Sequence, residues 1–169
     1  EIKRTPTVQK IINTAKFSEG KYQNDPDDGG NWTSGVVNKG KLVGTNMGVT
    51  PESLSKSLKD TDRSDITEKM IRDVTKEQAD NIFVNQYLRP SGVLDMPEEV
   101  QLILGDLAIL SPATVRSAVK KGVKTAKEAM DHIADSYAHI PYKGSRYRKY
   151  IKGWINRSRR AAGMKELDT

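Results

Sequence analysis

The chain has 169 residues, a formal net charge of +6, 30% charged and 36% hydrophobic residues, no cysteine and two histidines. Disulfide and thiolate chemistry are excluded, His132 and His139 stand seven apart and make no zinc motif, and no window is apolar enough to cross a bilayer. The charge is concentrated: residues 141–169 carry nine Lys/Arg against Glu166 and Asp168, a net +7, while the rest is close to neutral. A basic end of this kind suits a polyanionic surface.

Thr5-Pro6 reads as a cap and first-turn proline, and Val8, Ile11, Ile12 and Ala15 repeat at helical spacing, so a helix is predicted over about 6–18. Gly20 and the Asn/Asp/Pro/Gly run to Gly30 end it. Residues 31–50, rich in Gly, Val, Thr and Asn, predict one small hairpin. Thr50-Pro51 opens a short helix with Leu54 and Leu58, another covers Ile66 to Val74, and Thr75 with Gln78 forms a capping box before Ala79, Ile82, Phe83 and Tyr87. Pro97 opens the most apolar helix, running to Leu110. Ser111-Pro112 starts the next, ending near Gly122, and Thr125 with Glu128 caps one that carries Met130, Ile133, Ala134 and Tyr137. A last helix holds Tyr147, Tyr150, Ile151, Trp154 and Ile155. The expected architecture is mainly α with a single small β-hairpin near the front.

Residues 18–50 carry the chemical signal. Glu19 falls where the first helix runs out, and an acid-rich turn follows it directly. Glycoside cleavage needs such a pair, one carboxylic acid on a rigid element and a second carboxylate across a cleft. Glu19 is the candidate general acid, its pKa raised if it lies against apolar neighbours such as Phe17 and Tyr22; as an ordinary residue it would be a solvated side chain at the unfavourable end of a helix dipole. Asp28 is the candidate second carboxylate, with Asp25 and Asp27 as alternatives, since aspartates in turns also serve turn geometry alone. Thr45 is expected to hydrogen-bond the attacking water or Asp28.

The segments Glu19-Gly20-x-Tyr22-x-Asn24-Asp25-Pro26-x-Asp28-x-Gly30 and Thr45-Asn46-x-Gly48-Val49-Thr50 resemble glycoside hydrolase family 108, N-acetylmuramidases that include many phage endolysins. Tyr87-Leu88-x-Pro90, Leu94-x-Met96-Pro97, Asp106-x-Ala108, Ser111-Pro112, Arg146-Tyr147 and Gly153-Trp154 are similar to the peptidoglycan-binding region that follows in that family. The chain departs from the family in having Lys21 where a second glycine is usual, and in the stretch Asn31 to Gly44 between the Gly-Gly and the Thr-Asn motifs. That stretch leaves Thr33 and Thr45 both eligible for the family threonine, with Asn46, Gly48 and Thr50 favouring Thr45. The spacing of Glu19 and Asp28, nine positions, also resembles a wider phage-lysozyme pattern.

The resemblance implies a single lysozyme-like domain over 1–169, with the catalytic motif in 1–90, the peptidoglycan-binding region in 91–169, and a cleft between a helical lobe and the hairpin lobe. It implies cleavage of the β-1,4 bond between N-acetylmuramic acid and N-acetylglucosamine, with Glu19, Asp28 and Thr45 catalytic. Tyr22, Asp25, Asn46, Arg146 and Tyr147 are the expected substrate-binding residues. No metal and no cofactor are expected. Peptidoglycan is the expected partner, with no nucleic acid, no stable membrane insertion and a monomeric state. The expected place of action is the periplasm or cell wall of a host bacterium, reached through a holin or from an N-terminal anchor. The rivals are a lytic transglycosylase on the same bond and a non-catalytic basic helical module that binds nucleic acid or cell wall.

Two further patterns fail on their chemistry. Gly35-x-x-x-x-Gly40-Lys41 lacks the Ser or Thr that a phosphate loop uses on magnesium, because Leu42 follows. Asp25-x-Asp27 begins like a calcium loop, but Gly29 occupies a ligand position.

Overall fold

A computed structural model describes residues 4–14, 20–105, 107–138, 156 and 160. In chain order its helices are α1 (Pro6–Thr14), α2 (Pro51–Ser57), α3 (Glu68–Arg72), α4 (Lys76–Ile82), a π-helix (Phe83–Leu88), α5 (Arg89–Ser91), α6 (Glu98–Leu104), α7 (Leu107–Leu110), α8 (Pro112–Lys121) and α9 (Ala126–Ala138). The fold is mainly helical, compatible with a lysozyme-like class.

The chain forms two compact units, residues 1–15 with 87–169, and residues 16–86. In the first, α6 packs against both α9 and α1, and α8 packs against α5, α7 and α9. The core between them is aliphatic, built from Val100, Ile103, Leu104, Val115, Ala129 and Ile133, all inaccessible to solvent. Side chains of this kind contribute about 1.5–3 kcal/mol each on burial. Gly105 follows α6 because α1 comes too close for anything larger: a Cβ there would stand 2.7 Å from the Ile11 Cγ2. The apolar run predicted as one helix from Pro97 to Leu110 is described as α6 and α7, and Gly105, after the first, still donates its N–H to the Gln101 carbonyl at 2.8 Å in helical geometry. Gly122 ends α8 in the left-handed conformation, as the sequence predicts.

In the second unit, local capping chemistry fixes the short helices. Thr50 and Ser53 make a reciprocal capping box on α2, with Pro51 at its first turn. Thr67 accepts from the Met70 N–H at the start of α3, and Thr75 with Gln78 caps α4 as predicted. The π-helix after α4 was not legible in the 3.6-residue pattern, because Phe83, Val84 and Leu88 are all buried and satisfy either pitch.

The predicted hairpin is present only as an irregular excursion. Isolated antiparallel bridges pair Gln23 with Thr45, Trp32 with Leu42 and Asn46 with Val49. The Thr33 N–H donates to the Lys41 carbonyl at 2.9 Å, and the Val43 N–H to the Asn31 carbonyl at 2.9 Å. The turns that interrupt these pairs need left-handed residues at Gly35, Asn38, Gly40 and Gly44, so the pairing never extends into a ladder.

Candidate active site

The acid-rich turn is held by its own side chains. Asp25 Oδ1 accepts from the Asp27 N–H at 2.9 Å, an Asx-type turn across Pro26. Asp28 then caps the short 3-10 helix Gly29–Asn31, its Oδ1 accepting from the Gly30 N–H at 2.9 Å. Gly29 permits the crossing of the chain over itself, since a Cβ there would lie 2.8 Å from the Gly35 carbonyl oxygen. The Trp32 indole N–H donates to the Pro26 carbonyl at 2.9 Å and fastens the turn from outside. The Asp28 carboxylate is thus fixed in direction yet exposed to solvent.

A polar network links Asp28 to Thr45 through two residues that sequence reasoning missed. Gln23 donates from Nε2 to Asp28 Oδ2 at 3.4 Å and to Asn31 Oδ1 at 3.1 Å. Asn31, fully buried, donates back from Nδ2 to Gln23 Oε1 at 2.7 Å and to the Asp25 carbonyl at 3.0 Å. Thr45 donates its hydroxyl proton to Asn31 Oδ1 at 2.6 Å. The hydroxyl expected to reach Asp28 therefore reaches it through Asn31 and Gln23. Its proton is committed, and only its lone pairs are left for a further partner. Thr33, the other eligible threonine, is buried, and its hydroxyl accepts from the Lys41 N–H at 3.0 Å within the excursion. A single sequence cannot mark Gln23 and Asn31, since both are common polar residues in a turn; their only signal is that they flank the aspartates.

The Thr45-to-Thr50 motif is largely scaffold. Asn46 and Val49 exchange backbone hydrogen bonds, at 3.1 and 2.8 Å, around a two-residue turn whose central residues, Met47 at φ 49° and Gly48 at φ 77°, are both left-handed. Asn46, expected to bind substrate, is buried and donates from Nδ2 to the Ile71 and Arg72 carbonyls at 3.1 and 3.2 Å, closing the C-terminal end of α3. Gly20, the residue after Glu19 in the sequence, lies against this turn, 3.8 Å from the Gly48 nitrogen measured from an added Cβ.

Tyr22 is partly buried beside Gly44, where any Cβ would meet its ring at 2.7 Å. Its Oη stands 3.0 Å from both the Val43 carbonyl oxygen and Glu68 Oε1, two acceptors for one proton. The Arg72 guanidinium covers the ring at 3.8 Å and pairs with Glu68 at 3.6 Å. Burial, with the Glu68 carboxylate acting in the same direction, pushes the Tyr22 phenol above its ordinary value of 10.0. Glu68 and Arg72 were not singled out from the sequence, because an i, i+4 acid–base pair on a short helix reads as a solvated face.

Glu19, its candidate neighbour Phe17, and Arg146 and Tyr147 lie outside the described residues. Among the described residues no group of three or more His, Cys, Asp or Glu converges as a metal site. The chemistry on display is a solvent-facing carboxylate oriented by a backbone N–H and an amide, with a hydroxyl tied into the same network.

No curated protein and no solved structure matches this chain. The sequence profile described as Glycosyl hydrolase 108 matches residues 12–111, well over half of the chain, and spans Glu19, the aspartate turn, the excursion and the Thr45-to-Thr50 motif. The chain belongs to glycosyl hydrolase family 108 and is a glycoside hydrolase.

Proposed function

We propose that this glycoside hydrolase is an N-acetylmuramidase that cleaves the β-1,4 bond between N-acetylmuramic acid and N-acetylglucosamine in bacterial peptidoglycan. The observation that carries this reading is the fixed, exposed carboxylate of Asp28, joined through Gln23 and Asn31 to Thr45 inside the family-matched span. Glu19, in its carboxylic acid form, gives its proton to the glycosidic oxygen as the C–O bond breaks. Asp28 takes a proton from a water that attacks the opposite face of the sugar. An attacking water must use its lone pair on carbon and therefore donates its protons elsewhere. Thr45, its own proton already given to Asn31, offers an acceptor for the one Asp28 does not take.

A carboxyl separation of roughly 6.5–9.5 Å goes with inversion and roughly 5–5.5 Å with retention. With Asp28 as the base for a water, inversion is the expected outcome. In this reading residues 1–90 carry the chemistry, while residues 91–169 and their basic end, with Arg146 and Tyr147, hold the anionic wall. The enzyme acts as a monomer at the wall or in the periplasm of a bacterium.

Mass spectrometry of digested peptidoglycan tests the assignment, wild type beside Glu19→Gln. Reducing-end muramic acid products that vanish in Glu19→Gln are the expected result. Anhydro-muramic products would make the enzyme a lytic transglycosylase, and unchanged products in Glu19→Gln would remove Glu19 from the mechanism.

A further inference from the structure

The Gln23–Thr45 pair is the joint at which the aspartate turn meets the Thr45 segment. The Gln23 N–H donates to the Thr45 carbonyl and the Thr45 N–H to the Gln23 carbonyl, both at 2.9 Å, and the Gln23 side chain reaches Asp28 and Asn31. The pair is an isolated bridge, so it draws no support from a neighbouring ladder. Its support comes from the residues on either side of it, and both of them end on α3.

Tyr22 precedes Gln23, and Asn46 follows Thr45. On the Tyr22 side, the Arg72 guanidinium lies 3.8 Å from the ring centroid, and Glu68 bridges the two, with Oε1 at 3.0 Å from the Tyr22 Oη and Oε2 at 3.6 Å from the Arg72 Nε. On the Asn46 side, Nδ2 donates to the Ile71 and Arg72 carbonyls. One residue, Arg72, thus meets both flanks of the joint, with its side chain on one and its backbone on the other. A helix of five residues would not persist alone; α3 does because Thr67 caps it and Ile71 is wholly buried. The Arg72 and Glu68 side chains are about half exposed, at 52% and 49%, so their ion pair adds little. The contact with the ring is the part of the arrangement that can order Tyr22.

We infer that Arg72 is a positioning residue for the glycosidase reaction. Its guanidinium, laid on Tyr22, keeps the Gln23–Thr45 pair closed, and that pair keeps the Asp28 carboxylate in one direction. The ring face under Arg72 is closed to a sugar, which makes Tyr22 a link in this chain of contacts. The kinetic side of the inference rests on the assignment of Asp28 as the base for water; the structural side does not.

Two measurements on the full-length chain test it: hydrogen exchange of the Gln23 and Thr45 amides, and turnover of soluble peptidoglycan fragments. Arg72→Ala strips the guanidinium from the ring and leaves both carbonyls that Asn46 uses. Lys69→Ala removes the other charged pair of α3, Lys69 with Asp73, and is the control. Arg72→Ala should speed exchange of the two amides about two- to fivefold, the weight of one cation–π contact at a half-exposed site, and lower kcat by a similar factor with KM unchanged. Lys69→Ala should do neither. In the Asp28→Asn background Arg72→Ala should lower kcat no further, because a residue that works through Asp28 loses its effect once that carboxylate is gone. Unchanged exchange in Arg72→Ala, an equal effect of Lys69→Ala, a raised KM in place of a lowered kcat, or full additivity with Asp28→Asn would overturn the inference. Full turnover by Asp28→Asn would overturn the assignment of Asp28 instead, and the exchange rates would then decide the role of Arg72 alone.

Discussion

The stretch from Gln23 to Thr50 and the helices from Glu98 to Ala138 are held together by different forces. The helices bury aliphatic side chains against one another, and Val100, Ile103, Leu104 and Ile133 have no solvent contact. The earlier stretch is held largely by amides, hydroxyls and backbone groups, and its buried members include Asn31, Thr33 and Asn46. Aliphatic packing tolerates exchange among side chains of similar volume. A polar network does not, because each partner removed leaves another donor or acceptor unpaired. A region that must hold a carboxylate in one direction is better served by the second kind of construction, at the cost of being easily broken.

The sharpest test of that contrast is Asp28→Asn. Asparagine keeps the cap on Gly30 and removes the charge, so kcat should fall by about 10²–10⁴-fold, with Tm lowered only slightly as the long 3.4 Å bond from Gln23 is lost; equal turnover would pass the role to Asp25 or Asp27. Ile133→Ala should do the reverse, costing about 2–5 kcal/mol in urea unfolding while the surviving folded fraction keeps its kcat. A matching fall in kcat would dissolve the division between the two regions.

Asn31→Ala sharpens the comparison, since it should disturb both properties. Unpairing Gln23 and Thr45 should cost about 1–3 kcal/mol of stability and lower kcat with KM little changed; a loss confined to stability would make the network purely structural. The smallest effect is expected at Tyr22. Its raised phenol pKa means that the folded state keeps the proton after the unfolded chain has lost it. That stabilising contribution is complete below about pH 10 and is lost as pH rises through the folded value. Tyr22→Phe should flatten the alkaline fall in Tm, and an identical fall in the variant would refute the assignment.

Local signals in the sequence were read well wherever one residue type does one job. Thr75 with Gln78, Pro112 at the start of α8 and Gly122 at its end all stand where capping chemistry puts them. The pattern failed where tertiary contact decides. Nothing in an apolar run marks Gly105 as a position with no room for a Cβ until Ile11 is packed against it. The Val- and Thr-rich text of 31–50 reads as strands, but its left-handed turns reduce it to single bridges. In the candidate site, Asp28 and Thr45 were legible because their residue types and spacing resemble a known motif. Gln23 and Asn31, which connect them, carry no such mark, and neither does the use of the Asn46 amide on the end of α3.

The excursion from Thr33 to Lys41 has a practical corollary. Its two ends are clasped by the 2.9 Å bond between them, Arg63 grips the stem through a 3.1 Å bond to the Thr33 carbonyl, and its tip puts Val36 and Val37 into water. A tip closed at its base can be exchanged without pulling on the stem. Residues 36–38 are thus a natural port for grafting a wall-targeting peptide or a fluorophore, leaving the aspartate turn to its own fastenings.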